Sequence, residues 1–218
     1  MSALHLVIGN KNYSSWSLRP WIAMTMAGIA FTETVIALDQ PDTAARIAAH
    51  SRAGRVPVLR DGDLVIWETL AILEYLAERF PDKPLWPKPI AARAMARAVA
   101  NEMHAGFQAL RNACPMNLKR ARRPIALSDA VLADRRRIEE LWRDCRGRFG
   151  NGGNFLFGGF TIADAMFAPV VTRFDTYAIA VAADTRAYME NVMATAAFRA
   201  WKEAALKETW TIAADEVD

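Results

Sequence analysis

Two cysteines and three histidines in 218 residues leave little material for thiolate or imidazole chemistry. Cys114 and Cys145 form no Cys-x-x-Cys pair and sit in no cluster with metal-ligand spacing. A disulfide framework and a zinc–thiolate centre are therefore not expected, and each cysteine reads as a buried structural thiol. No apolar run approaches the roughly 20 residues that a membrane span requires. The opening stretch MSALHLVIGNKNYSSWS has neither a basic start nor a long enough apolar core for a secretory leader. The expectation is a cytoplasmic protein with no metal and no membrane partner. Charge of one sign is also scarce: 27 Lys and Arg against 24 Asp and Glu give a net charge of +3. The sequence pI near 9.0 rests on those three charges and is weak ground for a nucleic-acid partner. What is abundant is apolar material, 53% of the residues, which excludes a disordered chain.

The chain changes character near residue 85. Before it, short apolar runs alternate with helical stretches. Leu4–Ile8, Phe31–Leu38, Val56–Leu59 and Leu64–Trp67 read as strands, the last two joined by the turn Asp61-Gly62-Asp63. Helices are expected over Trp16–Gly28, Thr43–His50 and Glu68–Arg79. The order β-α-β-α-β-β-α implies a parallel pair made by a helical crossover, then an antiparallel hairpin, in one mixed four-stranded sheet. Four prolines between Phe80 and Pro89 exclude regular structure and mark a linker. Beyond it helix formers dominate: one long helix over Ile90–Ala113, a second over Ser128–Phe149, and three more over Thr161–Phe174, Asp184–Ala196 and Phe198–Lys207. The expected division is an α/β unit at 1–80, a linker at 81–89 and an all-α unit of five helices at 90–218.

Four local features bear on chemistry. Asn12-Tyr13-Ser14-Ser15-Trp16-Ser17-Leu18-Arg19 lies between the first strand and first helix. One serine suffices as an N-cap. Three suggest an anion site, because a helix N-terminus and a hydroxyl donor together lower the pKa of a thiol placed there. At Arg55-Val56-Pro57-Val58-Leu59, proline inside a strand run leaves two readings. Either it is a trans edge proline without a role, or a cis bond that frees the backbone of Val56 for an extended peptide. Glu68 and Thr69, at the start of a helix, are either a favourable first-turn charge with its neighbour or a holder for a zwitterionic amino-acid end. Thr161-x-x-Asp164 is a capping-box variant with Phe160 as its staple.

In this order the four features resemble the cytosolic glutathione transferases over nearly the whole chain. The most specific pieces are Val56-Pro57, then Trp67-Glu68-Thr69, then Thr161-Ile162-Ala163-Asp164. The resemblance implies a thioredoxin-like first domain with an all-α second domain, glutathione as co-substrate, and a homodimer. It implies a cis proline at Pro57, Val56 pairing with the cysteinyl backbone, Glu68 and Thr69 binding the γ-glutamyl end, and Arg55 reaching the glycyl carboxylate. Ser14-Ser15-Trp16-Ser17-Leu18-Arg19 is similar to the Ser-Ser-Cys-Ser-x-Arg signature of the zeta class. By that match Ser14, or its neighbour Ser15, stabilises the glutathione thiolate for attack on a small electrophile, as in detoxifying transferases. Trp16 stands where the signature has cysteine, a departure that bears on maleylacetoacetate isomerase-type activity. Trp16, Arg111 and Arg173 are expected on the electrophile side, the arginines toward an acidic co-substrate. A non-catalytic transferase-like binding protein is the alternative of a different class.

The charge also has a place. Residues 111–148 carry a net +6, residues 149–218 a net −4 and the first 110 a net +1. With no interleaved aromatics for base stacking, the +6 reads as a solvated helix, a dimer cleft or an attractor of anionic substrates such as glutathione.

Overall fold

The computed structural model describes residues 3–217; Met1, Ser2 and Asp218, at the outer ends of the two expected units, lie outside it. Alternation sets the first strand. In β1 (Leu4–Gly9), Leu4, Leu6 and Ile8 face the large core. Val7 faces the other way, into a small cluster with Ile36, Ile47 and Val58. A helix, α1 (Ser15–Met26), crosses to β2 (Phe31–Ile36), which pairs parallel to β1. The short α2 (Thr43–Ala48) covers the small cluster. Then β3 (Val58–Asp61) pairs antiparallel with β1 and with β4 (Leu64–Trp67), giving the order β2-β1-β3-β4. The third strand is shorter than expected: Val56 and Pro57 precede it, because proline has no N–H for the ladder. The helix α3 (Thr69–Arg79) closes this half.

Six α-helices follow among the described residues, not five: α4 (Ile90–Ala105), α5 (Gln108–Ala113), α6 (Asp129–Phe149), α7 (Ile162–Thr176), α8 (Ala183–Met193) and α9 (Ala196–Lys207). The expected helix over 90–113 is cut at Gly106-Phe107, where Phe107 takes a left-handed backbone with φ 57°. Helix formers on both sides hid that break. The fold is a thioredoxin-like α/β half followed by a helical half, as expected from the sequence.

The two halves share one core, in which α1 packs along α7. The start of α7 is fixed by Asp164, which is fully buried. Its Oδ2 accepts the N–H of Thr161 at 2.8 Å and the Thr161 hydroxyl at 3.0 Å. Its Oδ1 accepts the N–H of Leu156 and the hydroxyl of Tyr188. Burial pushes the Asp164 carboxyl up to about 6, against the pull of those donors. Four donors depend on one side chain, so Asp164→Ala is expected to cost about 3 kcal/mol or more, since each orphaned buried donor is expensive. Thr161→Ala loses the cap and one of those four donors but leaves the other three in place, and should cost less, about 1 kcal/mol. Urea unfolding midpoints of the two variants check the ranking.

Candidate functional site

The site begins with a proline. Pro20 lies inside α1 and has no N–H, so the carbonyl of Trp16, four residues earlier, lacks its helical donor. The Thr69 hydroxyl fills that vacancy, donating to the Trp16 carbonyl oxygen at 3.1 Å. This docks the N-terminus of α3 on the first turn of α1. Glu68, just before α3, has φ 68°, a strained setting for a residue with a side chain, and stands exposed at the cavity rim.

A polar cavity of about 220 Å³ opens where these elements meet. Val56, Glu68 and Thr69 line it from the α/β half, with Arg55, Pro57 and Trp67. Trp16, His104 and Arg111 supply the opposite wall. The Val56-Pro57 bond is cis, the reading that the residues alone left open. The β-ladder starts at Val58, so Val56 stands ahead of it, beside the cavity. Of the residues singled out in the sequence, Arg55, Val56, Glu68, Thr69, Trp16 and Arg111 are thus brought together.

Ser14 and Ser15 are at the N-terminus of α1 but do not line this cavity. Ser14 is buried, and its hydroxyl donates to Ser17 Oγ at 2.7 Å. Ser17 Oγ also accepts the N–H of Gly9 at 3.0 Å, tying the end of β1 to α1. Arg173 is buried and does not line the cavity, its Nε donating to the Cys114 carbonyl.

Two functional neighbours were not assigned from the sequence. Arg19 is fully buried; its Nε donates to the Met166 carbonyl of α7 and its Nη1 to the Ser15 carbonyl. Its guanidinium lies 4.1 Å from the Trp16 ring centroid, and that of Arg111 lies 4.8 Å from it. Burial, then repulsion from Arg173 and Arg111, holds the Arg19 guanidinium well below its ordinary pKa. Arg173 is pushed down to about 10 by burial and by Arg111. His104 meets the Trp16 ring edge-on at 5.1 Å. Burial lowers its pKa, Glu68 opposes, and Arg19 and Arg111 add to the lowering, so the ring is neutral at pH 7. The motif offered a signal for Arg19, its last residue; nothing in the sequence marked His104, a lone histidine on a helix.

The basic surplus of 111–148 is partly paired. Arg122, Arg135, Arg137, Arg143 and Arg148 each meet a carboxylate of the same or a neighbouring element. The two cysteines are free and buried, with burial pushing Cys114 up to about 11 and Cys145 up to about 12. A thiol reagent at pH 8 is expected to label neither until the chain is unfolded, as thiol counting by absorbance with and without denaturant will show.

The profile described as "Glutathione S-transferase, N-terminal domain" matches residues 13–79, and "Glutathione S-transferase, C-terminal domain" matches residues 70–205. A carnation (Dianthus caryophyllus) protein, "Glutathione S-transferase 1", is 34% identical over 105 residues. A Caenorhabditis elegans protein, "Probable maleylacetoacetate isomerase", is 33% identical over 102. The matched stretches span about half of each: 48% of this chain and of the first, 47% of this chain and of the second. An Arabidopsis thaliana protein, "Glutathione S-transferase Z2", is 26% identical over 173 residues, 74% of each chain. Among solved structures, a glutathione transferase homolog from Burkholderia with bound glutathione superposes with a TM-score of 0.71 at 19% identity. That superposition covers 93% of this chain and 98% of the other, and at that identity it shows a shared fold.

Proposed function

The chain belongs to the glutathione S-transferase family, and from that premise we propose that it transfers a small electrophile onto glutathione. The convergence of Val56, Glu68 and Thr69 on one polar cavity beneath Trp16 carries this reading. Glu68 takes the α-ammonium of the γ-glutamyl end, and the backbone N–H of Thr69, at the start of α3, takes its carboxylate while the Thr69 hydroxyl stays on Trp16. Val56, standing ahead of the ladder, pairs with the cysteinyl backbone as an added strand does. Arg55, exposed at the rim, reaches the glycyl carboxylate. The first unit, 1–80, thus binds glutathione, and the helical unit beyond the linker contributes the electrophile side.

The sulfur is drawn to the N-terminus of α1, where Ser14 supports it as a thiolate. Ser14 now donates to Ser17, but Ser17 carries a hydrogen of its own. When Ser17 donates to Ser14 instead, the Ser14 hydrogen is free for the sulfur, and the Gly9 N–H still anchors Ser17. Ser15 stands next in line. The thiol proton leaves to water, the S–C bond forms on the electrophile, and its leaving group departs with the electron pair. The enzyme supplies electrostatic support rather than a nucleophile. Arg111, facing the cavity, meets an acidic co-substrate, with Arg173 behind it.

Glutathione–agarose is expected to retain the protein, and Glu68→Ala to abolish retention. Ser14→Ala should keep it while raising the pKa of the bound thiol by about one, roughly tenfold less thiolate below that pKa. Ultraviolet absorbance of the thiolate against pH reads this. An unchanged pKa moves the role to Ser15 or the backbone. No thiol transfer toward a panel of electrophiles overturns the enzyme reading in favour of binding alone.

We also infer a homodimer, the first domain of one subunit against the helical domain of the other. Support comes from the edge strand β4, which leaves Leu64 48% and Trp67 52% exposed. Light scattering at micromolar concentration is expected to give twice the chain mass, and the mass of one chain for Leu64→Glu.

A further inference from the structure

The loop that delivers Ser14, Lys11-Asn12-Tyr13, is held by residues nearly the whole chain away. Both carboxylate oxygens of Glu208, just after α9, are committed to it: Oε1 accepts the N–H of Lys11 at 2.6 Å and Oε2 that of Asn12 at 3.0 Å. Glu216 Oε1 accepts the Tyr13 hydroxyl at 2.5 Å and the Asn117 amide at 3.0 Å. Burial and Glu216 raise the Tyr13 pKa, so the phenol stays a donor at neutral pH. The segment is itself tied down: Lys119 Nζ donates to the Glu208 carbonyl and Arg120 Nε to the Val217 carbonyl at 2.9 Å. Three consecutive residues before Ser14 therefore rest on two carboxylates from the helical half. Neither carboxylate lines the cavity where glutathione is read to bind.

We propose that Glu208 and Glu216 are positioning residues for the thiolate site, setting the N-terminus of α1 and the Ser14 hydroxyl through the loop they clamp. The proposal rests on the serine reading above. Two adjacent amides on one carboxylate fix both the place and the turn of the loop, and charge-assisted bonds of this kind are the strong ones. A hydroxyl-to-sulfur bond weakens steeply as it lengthens or bends. Releasing the clamp should therefore weaken thiolate support while the ends of glutathione stay held by Val56, Glu68 and Thr69. The sign is diagnostic. Loss of position raises the thiol pKa, whereas mere removal of negative charge near a thiolate would lower it.

The test compares Glu208→Ala, Glu216→Ala, Glu216→Gln and Tyr13→Phe with Ser14→Ala, and uses the exposed Glu203→Gln as control. The readouts are the pKa of bound glutathione by thiolate absorbance and the glutathione dissociation constant. Glu208→Ala and Glu216→Ala are expected to cut the thiolate fraction below the pKa about three- to tenfold, with affinity changed less than about threefold. Glu216→Gln, which still accepts the Tyr13 hydroxyl, should restore most of the loss, and Glu203→Gln should change nothing. Tyr13→Phe removes one oxygen and reads the same clamp if an alanine variant fails to fold. If Ser14→Ala raises the pKa but the glutamate and tyrosine variants leave it unchanged or lower it, the clamp is overturned and the serine reading stands. If Ser14→Ala itself leaves it unchanged, the Ser14 role falls, and the clamp proposed to act through that hydroxyl falls with it.

Discussion

A guanidinium taken out of water costs several kcal/mol unless its donors and charge are met, and this fold takes Arg19 out of water completely. No carboxylate among the described residues pairs with it. Its Nε and Nη1 donate to the carbonyls of Met166 and Ser15, its face goes to Trp16, and its Nη2 is buried without a partner among the described residues. These partners lie in α7 and in the first turn of α1, so one side chain ties the helical half to the helix that begins at the serines. The halves cannot slide against each other without orphaning that charge. The remaining positive field falls on the N-terminus of α1, where the helix dipole already favours an anion. Stability and proposed chemistry lean on the same group.

Around that tie, small backbone deficits are filled by particular side chains, and each filling aims part of the site. Pro20 removes one helical N–H, the Trp16 carbonyl falls open, and Thr69 closes it. The Gly106-Phe107 break ends α4 and starts α5, so that Arg111 reaches back to the carbonyls of His104 and Gly106 and faces the cavity. In each case a residue that interrupts regular structure leads to the residue that lines the site.

Legibility in the sequence followed the range of the interaction. Strands and helices set by local alternation, such as Leu4-Leu6-Ile8 against Val7, could be read directly, as could the proline linker and the Thr161–Asp164 cap. Val56-Pro57 and Glu68-Thr69 were ambiguous as residues, and only as an ordered set did they resemble a known family. The break at Phe107 was not legible, because a left-handed residue with a large side chain is held by its packing and has no compositional mark. His104 and the carboxylates of Glu208 and Glu216 were hidden for a further reason. Their meaning lies in contacts such as Glu208 to Lys11, 197 positions apart, that no local pattern encodes.

The basic surplus changes meaning for the same reason. Read along the chain, the +6 of residues 111–148 suggests a broad positive face. In the fold, Arg122 is spent on Asp175, Arg137 on Glu102 and Arg143 on Asp184, pairs that hold helices together. Exposed pairs of opposite charge cancel beyond a Debye length of about 8 Å at physiological salt. Carboxylates outside the segment thus offset three of its six net charges, which weakens its long-range steering without removing it. Positive charge without a paired carboxylate also lies inward near the site, in the buried Arg19 and Arg173 and in Arg111 on the cavity wall. An anion would feel it only after entering. On the proposed function, selectivity for an acidic co-substrate falls to Arg111, which faces the cavity, more than to the helical surface.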